Sequence, residues 1–596
     1  MSELVEAIPS HVYGELIREV FIKPIRTVMV VDDQFPTLED CLQEVEGLDV
    51  RKAVNKKLVQ GILDVCRDTD HSWLVDVHDG SSQSGNEVAI ASHLQHSDLM
   101  ILDYHLDRLS DKGDKAIQIL KELAKNAHLN LVIVYTAAGD GVGGDINKTV
   151  WEIALGLTCK DTKLEWIGQG LTAFEKKLDQ WGDFVPNILN RLVEEIDLTT
   201  FLRIRWADDR SIRKEVVKDE FQGFKALVES ASDHGLEIDA PQALKWALHK
   251  AQQNWSESLS SSDLGKVTVG ISDDGKNWIR TNGLFVTVIS KLNAPKELPS
   301  MLSTALEYWD PLPQRLILSK IRAELDATGA MAEDEILSNR YLQAGWLNDF
   351  LSDIDGISAG RVTVDRHWES LGDTIRPKVM EYSHQLAKSL SQRTDVGTSK
   401  FEGLIPLDIA SNHSLIGQHA NSYACTKRID GNHLSVGHIL DVNRGDPSLR
   451  YWICLTPACD LVPGQKSESG WGKRLGEWMS FKAVQLFPAT VKEALENAAS
   501  SNYLFLEVDG EMKIFCFSPT VSSNPKWEQM FAKNEGVFGD EKRDLTISLL
   551  SGEADGISAK EVNGRVVAQL RYEYALNLLQ RLGINLSRIG LDFKSY

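Results

Sequence analysis

The sequence has no apolar run long enough to cross a bilayer, no excess of basic residues, no low-complexity tract and no paired cysteine spacing. Each absence removes a class of function. A spanning helix needs about 20 consecutive apolar residues, so a membrane protein is not expected. The start, Met1-Ser2-Glu3-Leu4-Val5-Glu6, has neither the basic region nor the apolar stretch of a secretory signal, and a cytoplasmic location is expected. The 7 cysteines are odd in number and scattered, which fits reduced thiols better than a disulfide framework. A formal net charge of −22 argues against a broad nucleic-acid or anionic-membrane footprint.

What is present is the composition of an ordinary globular chain, 42% hydrophobic and 25% charged over 596 residues. That length exceeds one core, and about three domains are expected. Three apolar runs stand out in the first quarter. Ile25–Val31 leads into Asp32-Asp33, Leu99–Leu102 ends on Asp103, and Leu131–Tyr135 ends on Thr136. Uninterrupted apolar runs of this length read as strands covered on both faces, as in a parallel sheet. Helical stretches between them complete a β-α alternation: about 45–67, Asn86 to His96, and Asp114 to Ala127. Open α/β sheets place their chemistry at the carboxyl ends of the strands. Three strands would then deliver an acid pair, a single acid and a hydroxyl to one crevice. Clustered carboxylates repel one another, so they take up a cation or protons, and Mg2+ is the hard cation that oxygen donors suit.

This pattern resembles the receiver domain of response regulators. The resemblance implies a doubly wound, flavodoxin-like parallel sheet, with Asp32 and Asp33 as the acid pair that binds Mg2+ and Asp103 as the phosphoacceptor. His105, two residues further on, joins the expected metal site. Thr136 takes the place of the hydroxyl that meets the phosphoryl group, and small Ala137 follows it. The family also has a lysine after its fifth strand. Lys160 lies at about the right distance from Thr136, and Lys148 competes with it. The implied partner is a sensor histidine kinase. Gly139 to Asp145 is glycine-rich but lacks the ending of a nucleotide-binding P-loop.

The expected architecture is multidomain α/β plus α+β. A leader helix occupies 1–22, the receiver 23–163, a helical region 164–260, a small sheet with helices 261–400, and a strand-rich α+β domain 401–596. In the helical region, Ile167, Leu171, Phe174 and Leu178 form one apolar stripe and Ile188, Leu192 and Ile196 another. Arg203, Arg205, Arg210, Arg213 and Lys214 make a basic cluster, but interleaved acids favour a salt-bridged helix face over a nucleic-acid contact. Tyr341, Trp346 and Phe350 suggest a packed helical core. Further on, Ser422 to Thr426 reads as a strand, and Asp509-Gly510 marks a hairpin.

The carboxyl-terminal region gathers His413, His419, His433 and His438 ahead of Cys454, Cys459 and Asp460. A cysteine near a histidine suggests a nucleophile and base, so a receiver-gated effector enzyme around Cys459, His438 and Asp460 is one alternative. Zinc is disfavoured by the missing ligand spacing. A transcription regulator is another alternative. The receiver-first layout with a long unassigned remainder also resembles the receiver protein of Detocs-type bacterial antiviral two-component systems. That resemblance implies a phosphate relay or sink acting beside an effector protein.

Overall fold

The structure is a computed structural model and describes residues 11–35, 56–80, 97–106, 113–126, 129–137, 146–159, 171–204, 212–213, 216–255, 259–328, 339–351, 357–392, 407, 409–464, 472–520, 523–539, 542–554 and 556–587. The expected helix Asn86 to His96, the glycine-rich loop and most of the basic cluster lie outside these residues. The chain divides into two compact units. One is Met1–Ala344 with Arg366–Arg393, and the other is Gly345–Asp365 with Thr394–Tyr596. Among the described residues no helix is long and apolar enough to cross a membrane. Cys66, Cys425, Cys454, Cys459 and Cys516 form no disulfide.

The first unit is built on a seven-stranded sheet. Its strands are β1 (Thr27–Val31), β2 (Leu74–His78), β3 (Leu99–Leu102), β4 (Asn130–Thr136), β5 (Thr268–Ile271), β6 (Asn277–Arg280) and β7 (Leu284–Ser290). The spatial order is β2-β1-β3-β4-β7-β6-β5. The first five in that order run parallel, and the β5–β6 hairpin adds antiparallel to β7. Every residue of β3, β4 and β7 is buried, as expected of largely apolar strands covered on both faces.

Alternation along each strand divides the core into two faces. Met100, Leu102, Val132 and Val134 face helices α3 (Asp114–Ala124) and α4 (Ile146–Leu157). Leu99, Ile101, Leu131 and Ile133 face α1 (His11–Phe21), α2 (Lys56–Cys66) and the helix Leu298–Trp309. The leader helix is thus part of the core. Its Ile17 is fully buried, and the Tyr382 hydroxyl donates to the Leu16 carbonyl at 3.0 Å.

The sheet does not stop where the receiver is expected to end. The strand Leu284–Ser290, which falls within the small sheet with helices expected at 261–400, pairs parallel with β4 in register from Asn130↔Leu284 to Thr136↔Ser290. The antiparallel hairpin turns at Asp273-Asp274-Gly275-Lys276, where Gly275 has φ +85°, a conformation glycine adopts without strain. Between β4 and β7 the chain inserts helices Leu171–Phe184, Ile188–Glu194, Leu198–Ile204, Gln222–Glu229 and Ala240–Asn254. Phe174, Leu178, Ile188, Leu192 and Ile196 of the two expected stripes are buried there.

Tyr341, Trp346 and Phe350 do not form a packed core. Tyr341 is 81% exposed and Phe350 46%, and the Trp346 and Phe350 rings stack on each other at 5.2 Å. Spacing of four residues places them side by side on one helix, so they meet without a core between them.

The second unit holds a closed six-stranded antiparallel barrel. Its strands are β8 (His438–Val442), β9 (Tyr451–Cys454), β10 (Met479–Gln485), β11 (Trp527–Ala532), β12 (Asp544–Glu553) and β13 (Gly556–Leu570). They pair in that order, and β13 closes the circuit on β8. Leu440, Val442, Trp452, Phe481 and Ile547 fill the interior. Ile439, Ile453 and Val484 point outward to the helix Tyr572–Ser587. The hairpin at Asp509-Gly510 has both residues at positive φ, 54° and 79°, the geometry its sequence favours. The expected strand Ser422 to Thr426 is instead mostly the last turn of the helix Ile409–Cys425.

Candidate functional site

Four parallel strands end side by side and deliver one polar residue or pair each. The ladder continues one step past β3, where the Asp103 amide donates to the Val31 carbonyl at 2.8 Å. Asp32 extends β1 in the same way, donating to the His78 carbonyl at 3.0 Å. The Gln34 amide then donates to Asp32 Oδ1 at 2.9 Å, which turns the chain away and fixes the carboxylate. Asp32, Asp33 and Asp103 each offer an oxygen within 4.8 Å of the others. Thr136 closes β4, fully buried, and its Oγ1 has no hydrogen-bond partner among the described residues.

A cation completes the site from the end of β7. The Lys291 amide donates to the Thr136 carbonyl at 2.7 Å, which sets its side chain beside the acids. Lys291 Nζ lies 2.8 Å from Asp32 Oδ2 and 3.1 Å from Asp103 Oδ1. It also sits 5.6 Å above the ring of Phe35, a cation–π contact that walls one side. Burial works against the charge on Lys291, but Asp103 and Asp32 outweigh it and hold its pKa above the ordinary lysine value. The ammonium therefore stays protonated at neutral pH.

The sequence-derived residues are distributed as follows. Asp32, Asp33 and Asp103 share one cluster, with Thr136 at the end of the strand next to that of Asp103. His105 is half-buried, edge-on to the Tyr104 ring at 5.1 Å, and is not in the carboxylate group. Lys160 lies outside the described residues. Lys148 is exposed and pairs with Glu152 at 3.7 Å. Lys291 was not singled out from sequence. Its signal is the one that marked the other strands, an apolar run ending on polar residues, but residues 137–283 separate it from β4.

In the barrel unit, His438 is fully buried and its Nδ1 accepts from the Ser435 amide at 3.0 Å. Burial pushes its pKa down to about 4. Cys459 and Asp460 stand exposed on a short 3-10 turn, with Sγ 3.6 Å from Asp460 Oδ1. A nucleophile and its base need a hydrogen bond, and none joins Cys459 to His438 here.

Residues 24–150 match the response receiver domain family. This stretch is a receiver domain. The order β2-β1-β3-β4-β7 of its parallel strands is the flavodoxin-like order, with β7 in fifth place. The matched receiver segment ends inside α4, so β7 and Lys291 lie beyond it. No curated protein and no solved structure matches the chain.

The donor set fits the Mg2+ that receiver domains typically bind. Three carboxylates in reach of one another offer hard oxygen donors, and Mg2+ takes oxygen ligands at about 2.0–2.1 Å. Asp32, Asp33 and Asp103 are the residues that would hold it. Once bound, such an ion neutralises charge on a phosphoryl oxygen.

Protons compete for the same site. Burial pushes Asp32 up to about 6, with Lys291 opposing the rise and Asp103 adding to it. A raised carboxyl pKa favours the protonated fold, so this contribution to stability is present in acid and is lost as pH rises through about 6. Cation binding needs the ionised form. Mg2+ affinity measured by calorimetry should therefore fall about tenfold per unit as pH drops below about 6, and level off above it. A flat profile between about pH 5 and 8 would contradict this placement of Asp32.

Proposed function

We propose that the chain is a response regulator that accepts a phosphoryl group on Asp103 from the phosphohistidine of a histidine kinase. A carboxylate oxygen of Asp103 forms the new O–P bond as the P–N bond to the donor imidazole breaks. The imidazole nitrogen keeps the bonding electron pair and takes a proton. The observation that carries the reading is Lys291, held at 2.8 and 3.1 Å from Asp32 and Asp103 by a strand outside the matched receiver segment. Its ammonium meets the negative charge on the transferred group. The buried, unpartnered Thr136 hydroxyl supports the same reading, because a phosphoryl oxygen supplies the acceptor it lacks.

Phosphate-affinity electrophoresis tests the proposal. After incubation with acetyl phosphate and Mg2+, the wild-type chain gives a retarded band and Asp103→Asn gives none. Equal retardation of both proteins, or of neither, contradicts it.

A further inference from the structure

The residues flanking Asp103 belong to a core that continues into the inserted helices. One face of the sheet, with Leu102 and Tyr104, packs with Ile153 and Leu157 of α4, and the same cluster runs on to Trp181 and Phe201 of the insertion. Apolar contact alone is a weak messenger, because it is not directional. One directional link crosses from the acceptor strand to α4. Tyr104, the residue after Asp103, is 3% exposed, and its hydroxyl donates to Glu152 Oε2 at 2.8 Å.

The link is tightly held. The Tyr104 ring fills the space over Gly113 so closely that a Cβ there would lie 2.1 Å from two ring carbons. Burial, followed by Glu152, raises the Tyr104 pKa and keeps the hydroxyl protonated as the donor. At its other end, α4 runs into Thr158, whose carbonyl accepts from the Ser260 amide at 2.7 Å. Thr136, the other strand end at the site, precedes α4 through residues 137–145. The acceptor strand is thus bonded to α4, the hydroxyl strand precedes α4 in the chain, and α4 in turn precedes the insertion.

We infer that the inserted helices between Leu171 and Asn254 are the built-in reader of the receiver's phosphoryl state, addressed through the Tyr104–Glu152 hydrogen bond. The inference rests on the acceptor reading of Asp103. Tyr104 acts through Glu152 and is a positioning residue.

The test uses the full chain with Mg2+ and beryllofluoride, an unreactive analogue of the phosphoryl group. Fluorine NMR reports bound analogue, and hydrogen exchange by mass spectrometry reports the helices. In the wild type, bound analogue changes exchange in Ile146–Leu157 and Leu171–Phe184 by about threefold or more. Tyr104→Phe and Glu152→Ala bind the analogue as the wild type does but lose that change. Glu152→Gln, which keeps an acceptor oxygen, retains it. The same exchange response in Tyr104→Phe as in the wild type overturns the inference, as does bound analogue with no response in the inserted helices. Absence of bound analogue in the wild type overturns the acceptor reading itself, and the inference falls with it.

Discussion

Lys291→Ala slows phosphoryl uptake from acetyl phosphate by about 10²- to 10³-fold, the loss that follows removal of one preorganised donor from a site where charge develops. The lysine is 19% exposed and touches two carboxylates, so its removal takes away a positive charge fixed beside both. Its removal also leaves Asp32 and Asp103 facing each other without their counter-charge. Breaking a buried pair from one side costs about 3–5 kcal/mol where nothing compensates. Mg2+ in the assay supplies part of the missing positive charge, and thermal melting in its presence separates folding from chemistry. Lys291→Arg does not restore the rate, because a planar fork cannot occupy the point between Asp32 and Asp103 that a compact ammonium fills. Time courses of band retardation measure the effect. A rate within about twofold of wild type would remove Lys291 from the site.

A second large effect is expected from where the chain is cut. A fragment ending at residue 163 contains all of the matched receiver segment but lacks β7. Leu284, Phe285, Val286, Val288 and Ile289 are each at most 2% exposed. Each contributes about 1.5–3 kcal/mol by burial, and together they exceed much of the 5–15 kcal/mol by which domains are stable. Without β7, the wholly buried strand β4 becomes an exposed apolar edge, a template for aggregation. Fragment 1–163 should therefore show no cooperative urea transition and no phosphoryl uptake. Fragment 1–393, which retains the whole first unit, should show both. Uptake by the shorter fragment at the rate of the longer one would contradict the account.

The placement of Asp32, Asp33, Asp103 and Thr136 at neighbouring strand ends was legible because each follows an apolar run short enough for one strand and covered on both faces. That signal is local. It shows where a strand ends but not which strand lies beside it. Leu284–Ser290 carries the same signal as β4, yet the inserted helices lie between them, and pairing over that distance leaves no periodic trace. Lys291 was hidden for that reason and not for any weakness in its own surroundings. The pairing that closes the barrel left no local trace for the same reason, since β13 pairs with both β8 and β12 and only alternation is visible along it. The exposed Tyr341 and Phe350 show the converse, aromatic spacing that reads as core but has no second layer against it.

The most direct measurement is chemical trapping of the phosphorylated side chain. Borohydride reduces an aspartyl phosphate to homoserine, and peptide mass spectrometry then locates it. After incubation of the full chain with Mg2+ and acetyl phosphate, homoserine should appear at position 103 and should be strongly diminished in Lys291→Ala. Homoserine at another carboxylate, or none at all in a folded wild-type chain, would contradict the claim that strands β1, β3, β4 and β7 converge to make Asp103 an acceptor.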